Sequence, residues 1–190
     1  PAAGGKNLPF DYWNAWANAA ALQATPGGQG LETLTQSFNL VIWKHSPQVS
    51  DVLPDTGTAQ PQSPERKIEN YKLQYQDLKG RMRSWPDTRF IVWTGPALVR
   101  GASGESQAKL AREFAQWVKK TWDEPGDNIY VWDFFELQTD GGVFMKDEYA
   151  AGPKDSSPNP GFARKAAAFL CRRIVDVVEG RGDTGSPTGL

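Results

Sequence analysis

Three short runs constrain this chain more than anything else in it. Asn39-Leu40-Val41-Ile42-Trp43, Arg89-Phe90-Ile91-Val92-Trp93 and Asn128-Ile129-Tyr130-Val131-Trp132 each lead through β-branched and aromatic residues to a tryptophan. Each then opens into polar or turn residues: Lys44-His45-Ser46-Pro47, Thr94-Gly95-Pro96 and Asp133. Apolar runs without strict alternation fit strands buried on both faces, as in a parallel sheet. The stretches between them have helical period. Ile68, Tyr71, Tyr75, Leu78 and Met82 follow a capping start at Ser63-Pro64-Glu65. Leu110, Phe114, Trp117 and Val118 share one face of a helix predicted from about Glu105 to Trp122. A last helix is predicted from Pro160, with Phe162, Ala166, Phe169, Leu170, Ile174, Val177 and Val178 on its apolar side.

Before the first run, Asp11 to Ala24 reads as an Ala-rich helix ended by Pro26-Gly27-Gly28, with Tyr12, Trp13 and Trp16 on one side. Leu31 to Phe38 reads as a short helix or an irregular approach to the sheet. Strands alternating with helices predict an α/β fold, a three-layer sandwich with a parallel sheet flanked by helices. One domain over residues 1–179 is expected, followed by a flexible Gly/Ser/Thr/Pro-rich tail over 180–190.

Composition narrows the partners. A chain of 190 residues with a formal net charge of -1 carries neither a nucleic-acid footprint nor a polybasic membrane patch. No apolar run approaches the ~20 residues of a membrane span. One cysteine, Cys171, and one histidine, His45, argue against a disulfide framework or a structural zinc site. No Gly-rich phosphate loop follows the first strand, and no cofactor is expected. The chain opens on Pro1, which suggests a removed upstream piece. The eight tryptophans fit either sugar stacking or core packing. The Arg181-Gly182-Asp183 tripeptide is too common to carry an adhesion role by itself.

In parallel sheets, ligands bind beyond the carboxyl ends of the strands. That rule gathers Lys44, His45, Ser46, Thr94, Gly95 and Asp133 at one edge. The stretch Asp155-Ser156-Ser157-Pro158-Asn159-Pro160-Gly161 also reaches it, just before the last helix. Asp155, Asn159 and the serines are equally the residues of a helix N-cap, with Pro160 in the first turn. His45 reads as a base or oxyanion donor, or else as a locally bonded loop imidazole. Lys44 is either a solvated flank or a contact to an anionic substrate. Glu136 and Asp140 are a weaker choice as a glycosidase pair, which needs facing carboxyls at a set separation.

Asn39 to Asp51, Arg89 to Leu98 and Asp155 to Ala168 together resemble the SGNH (GDSL-like) hydrolase superfamily, in particular its bacterial polysaccharide-associated members. The resemblance implies a flavodoxin-like sheet, a small-molecule or glycan ester as substrate, and a secreted or periplasmic setting. It also implies a serine nucleophile oriented through a His–Asp pair. Asp155 takes the position of the family acid, and Ser157 stands where the family has its catalytic histidine. Trp43, Lys44, Thr94, Gly95 and Asn159 would line the substrate, with His45 as an oxyanion donor or base. Two departures weaken the catalytic implication. Nothing from Pro1 to Phe38 supplies the Gly-Asp-Ser strand, and a serine cannot act as base at neutral pH. Little or no esterase activity is expected, and a non-catalytic glycan- or protein-binding module is the alternative.

Overall fold

The computed structural model describes residues 7–18 and 30–190. Within them the chain is a mixed α/β protein around a three-stranded parallel sheet. The three tryptophan-ended runs are its strands: β1 (Leu40–Trp43), β2 (Arg89–Trp93) and β3 (Ile129–Trp132), ordered β1-β2-β3. The register pairs Leu40 with Arg89, and Phe90 with Ile129. Side chains alternate across a strand, so one face carries Val41, Trp43, Phe90, Val92, Ile129 and Val131. The other carries Leu40, Ile42, Arg89, Ile91, Trp93, Tyr130 and Trp132.

Helices α1 (Pro9–Trp16) and α2 (Leu31–Ser37) precede the sheet. The helix predicted through Ala24 ends at Trp16, and its part from Ala19 lies outside the described residues. A 3-10 turn over Pro47–Ser50 follows β1, and α3 (Ile68–Arg83) crosses to β2. This helix starts later than the Ser63 capping signal. Leu53 N–H bonds Arg66 O at 2.7 Å, and a β-bridge joins Leu53 to Lys67, which holds that stretch extended. Helix α4 (Glu105–Trp117) crosses to β3 and relaxes into a π-helical turn, Val118–Trp122. That turn brings Trp122, fully buried, against Tyr75 with ring centres 5.0 Å apart.

The core lies between the first sheet face and helices α1, α3 and α4. Trp43 packs on Tyr75, and Phe114 on both Tyr71 and Tyr75. After β3 come a short α5 (Phe134–Thr139), a hairpin of β4 (Ala150–Gly152) and β5 (Asp155–Pro158), and the long α6 (Pro160–Val178). Helix α6 contacts β2 and β3, and its Phe162 stacks on Tyr149. No helix among the described residues is long and apolar enough to cross a membrane.

Residues 180–190, expected as a flexible tail, have a defined course. They fold back along β3: Arg173 Nη1 bonds Gly182 O at 2.6 Å, Asp133 N–H bonds Pro187 O at 2.8 Å, and Trp132 Nε1 bonds Thr188 O at 3.0 Å. Gly189 has φ +77°, and a Cβ there would stand 2.0 Å from Phe169 O. The composition that suggests disorder is what lets this segment lie so close to α6.

Candidate functional site

The strand-end rule brings the expected residues near the carboxyl edge of the sheet, but strand parity sends them to opposite faces. Trp43 and His45 turn toward α3. Trp43 is buried among Tyr12, Trp16, His45 and Tyr75. His45 is 5% exposed, so it does not reach the edge as a loop residue would. Its Nδ1 lies 2.8 Å from Asn7 O, and a carbonyl only accepts, so Nδ1 carries the proton. Nε2 then accepts from the Tyr75 hydroxyl at 2.6 Å. Burial lowers the imidazole pKa to about 4, the Asn7 carbonyl opposing this. Neither ring nitrogen bonds a carboxylate or a serine.

Lys44 turns to the other face, exposed, with Nζ 5.3 Å from the centre of the Trp93 ring. Thr94 is buried and committed on both sides: its hydroxyl bonds Asp133 Oδ1 at 3.4 Å and accepts from Phe135 N–H at 2.9 Å. Asp133, 2% exposed, pairs with Lys119 and caps α5 through Glu136 N–H at 3.2 Å. Gly95 is a point of close approach. A Cβ there would meet Val49 Cγ1 at 2.7 Å, and Ser50 next to it bonds Pro96 O.

Of the Asp155 stretch, Asp155–Pro158 forms strand β5, an exposed edge of the hairpin, and Asn159 and Pro160 begin α6. Asp155 Oδ1 accepts from Ser157 N–H at 2.9 Å, and hydrogen bonds from Ser157 hold this carboxyl below its ordinary range. Ser156, not Ser157, faces the sheet edge, its Oγ accepting from Val99 N–H at 3.0 Å. Asn159 is the cap: Oδ1 accepts from Phe162 N–H at 2.9 Å, and Nδ2 donates to Glu148 O at 2.7 Å. No contact joins Asp155 or Ser157 to His45. The Arg181-Gly182-Asp183 tripeptide is likewise occupied, with Arg181 on Asp176 and Glu179 and Asp183 on Gly126 N–H.

A cavity of about 520 Å³ opens instead at the amino ends of β2 and β3, with Arg83, Asp87, Arg89, Asp127, Asn128 and Tyr130 among its lining. Its walls are fixed. Asn128 Nδ2 lies 3.0, 2.9 and 2.8 Å from the carbonyls of Met82, Trp85 and Thr88, pinning the turn into β2. Asp127 accepts from Ile129 N–H and pairs with Arg83, which also holds Glu124. Arg89 and Asp87 have no charged partner among the described residues. The cavity thus offers one cation, one anion and the Tyr130 phenol. The carboxyl-edge rule does not point here; the polar residues that open the second and third strands are the signal in the sequence. Nearby, burial pushes the half-buried Asp123 carboxyl up to about 7. Arg173 opposes this shift, while Asp127 and Asp183 add to it. Among the described residues no cluster of His, Cys, Asp and Glu is arranged to hold a metal.

No family model, curated protein or solved structure matches this chain.

Proposed function

We propose that this chain is a non-catalytic binding domain on a degenerate SGNH-hydrolase-like sandwich, and that it takes a polar glycan at the amino-end cavity. The observation that carries this reading is the state of His45. A hydrolytic serine needs a base with a free nitrogen near neutral pH. The sole imidazole here has both nitrogens engaged in the core and a pKa depressed to about 4. Asp155, in the position of the family acid, accepts from Ser157 alone, through its backbone N–H and its side chain. Glycan as ligand is supported by the cavity's mixed chemistry. Rigid donors and acceptors of both signs beside an aromatic ring suit hydroxyl-rich rings.

The experiment has two parts. Incubation with an aryl acetate should give no turnover above the buffer rate, and turnover by the unaltered chain would sink the proposal. Titration with a set of soluble oligosaccharides, followed by amide chemical shifts, should move resonances at Arg89, Asn128 and Tyr130. Arg89→Ala and Tyr130→Ala should each weaken binding at least tenfold. Binding that both variants retain would place the ligand elsewhere.

A further inference from the structure

The two outer edges of the sheet are finished differently. On β3 three of the outward backbone groups are met: Ile129 N–H by Asp127, Val131 O by Arg173 Nε at 2.8 Å, and Asp133 N–H by Pro187 O. On β1 the bond from Arg89 N–H to Asn39 O fixes the parity. In a parallel ladder, Val41 then faces β2, while Leu40 and Ile42 turn both N–H and C=O outward. The Tyr12 hydroxyl closes Lys44 O at 2.7 Å. Among the described residues, nothing bonds the outward groups of Leu40 and Ile42. The same stretch is apolar and uncovered, with Phe38 56% and Ile42 38% exposed. Exposed strand edges are ordinarily guarded by charge, proline or a bulge. From Phe38 to Trp43 there is no charge and no proline.

We infer that this edge is an interface between two copies of the chain, β1 pairing antiparallel with β1 about a two-fold axis at Val41. The edge is its own complement in that register. Leu40 lies opposite the second copy's Ile42, and both turn their backbone groups outward. Such a pair exchanges both of its N–H···O bonds, and the axis generates the pair twice. Leu40 and Ile42 become cross-strand apolar neighbours. Lys44 falls opposite Phe38, so no like charges meet, and a cation stands beside a ring. The result is one continuous sheet across the dimer, with each far edge partly covered by a C-terminal segment.

Sedimentation equilibrium from low micromolar to millimolar protein tests this. The mass should rise from 21.0 kDa toward twice that value. Ile42→Lys puts charge on the axis-proximal pair, and Ile42→Pro removes an outward donor without touching the β1–β2 ladder. Both should stay at the monomer mass, with circular dichroism unchanged for Ile42→Lys. Amide exchange at Leu40 and Ile42 should slow with concentration in the unaltered chain only. A chain that is monomeric throughout, or a dimer that both variants keep, overturns the inference. So does protection of those amides that is independent of concentration.

Discussion

His45 and Asp123 are the residues whose ionisation the fold controls most clearly, and they act in opposite directions. The folded imidazole resists protonation until about pH 4, whereas an unfolded histidine takes its proton near 6.5. Between those values the unfolded state binds more protons, so stability falls as pH drops through that window. At ~1.4 kcal/mol per unit the loss is about 3 kcal/mol. Asp123 offsets it over the same range, so the loss is read as a difference: in urea unfolding at pH 7 and pH 4, His45→Gln should lose less stability on acidification than the unaltered chain. Asp123 runs the other way. Its folded pKa of about 7 lies above the ordinary carboxylate value, so its contribution is fullest in acid and is lost as pH rises through 7. Asp123→Asn should raise the melting temperature at pH 8 and change it little at pH 4. An equal shift at both pH values would mean that charge is not the cause.

At the scale of elements, the start of α6 and the edge of β3 each depend on one side chain. Asn159 caps the helix and ties it to the turn before β4 through Glu148 O and to β4 through Ala150 O. Asn159→Ala should destabilise by about 1–2 kcal/mol, with Asn159→Asp recovering part of that through the cap alone. Arg173 is 2% exposed and serves two carbonyls, Val131 O and Gly182 O. Arg173→Met keeps much of the packing but leaves both acceptors unmet in the interior. A loss of about 2–4 kcal/mol is expected, together with faster amide exchange over residues 180–190. A loss below ~0.5 kcal/mol would show that water replaces both bonds.

For the molecule as a whole, the sheet is closed on one side by the chain's own C-terminus. Deleting residues 180–190 removes the acceptors for Asp133 N–H and the Trp132 indole, and uncovers Tyr130, whose ring packs against Gly182. The truncated protein should aggregate at concentrations where the full chain stays dispersed, which light scattering would show.

The three strands of the parallel sheet were legible because β-branched and aromatic density marks a strand whatever surrounds it; the β4–β5 hairpin, without that density, was not. The long helices were legible because their apolar residues recur at the helical period. What the residues by themselves determined is this alternation of strand and helix, the parallel sheet, and Asn159 and Pro160 as a helix start. Tertiary structure alone decided where the polar groups went. Parity carried His45 into an aromatic core and Lys44 out over Trp93, though the two are adjacent in sequence. Pairing with β4 made Asp155 and Ser157 a surface strand, and docking on β3 ordered a segment whose composition reads as loose. Hydrogen-bond partners distant in sequence, such as Tyr75 for His45 and Val131 for Arg173, leave no local pattern. The tryptophan-ended runs therefore announce the sheet, while the site, the sealed edge and the open one depend on what the folded chain sets beside them.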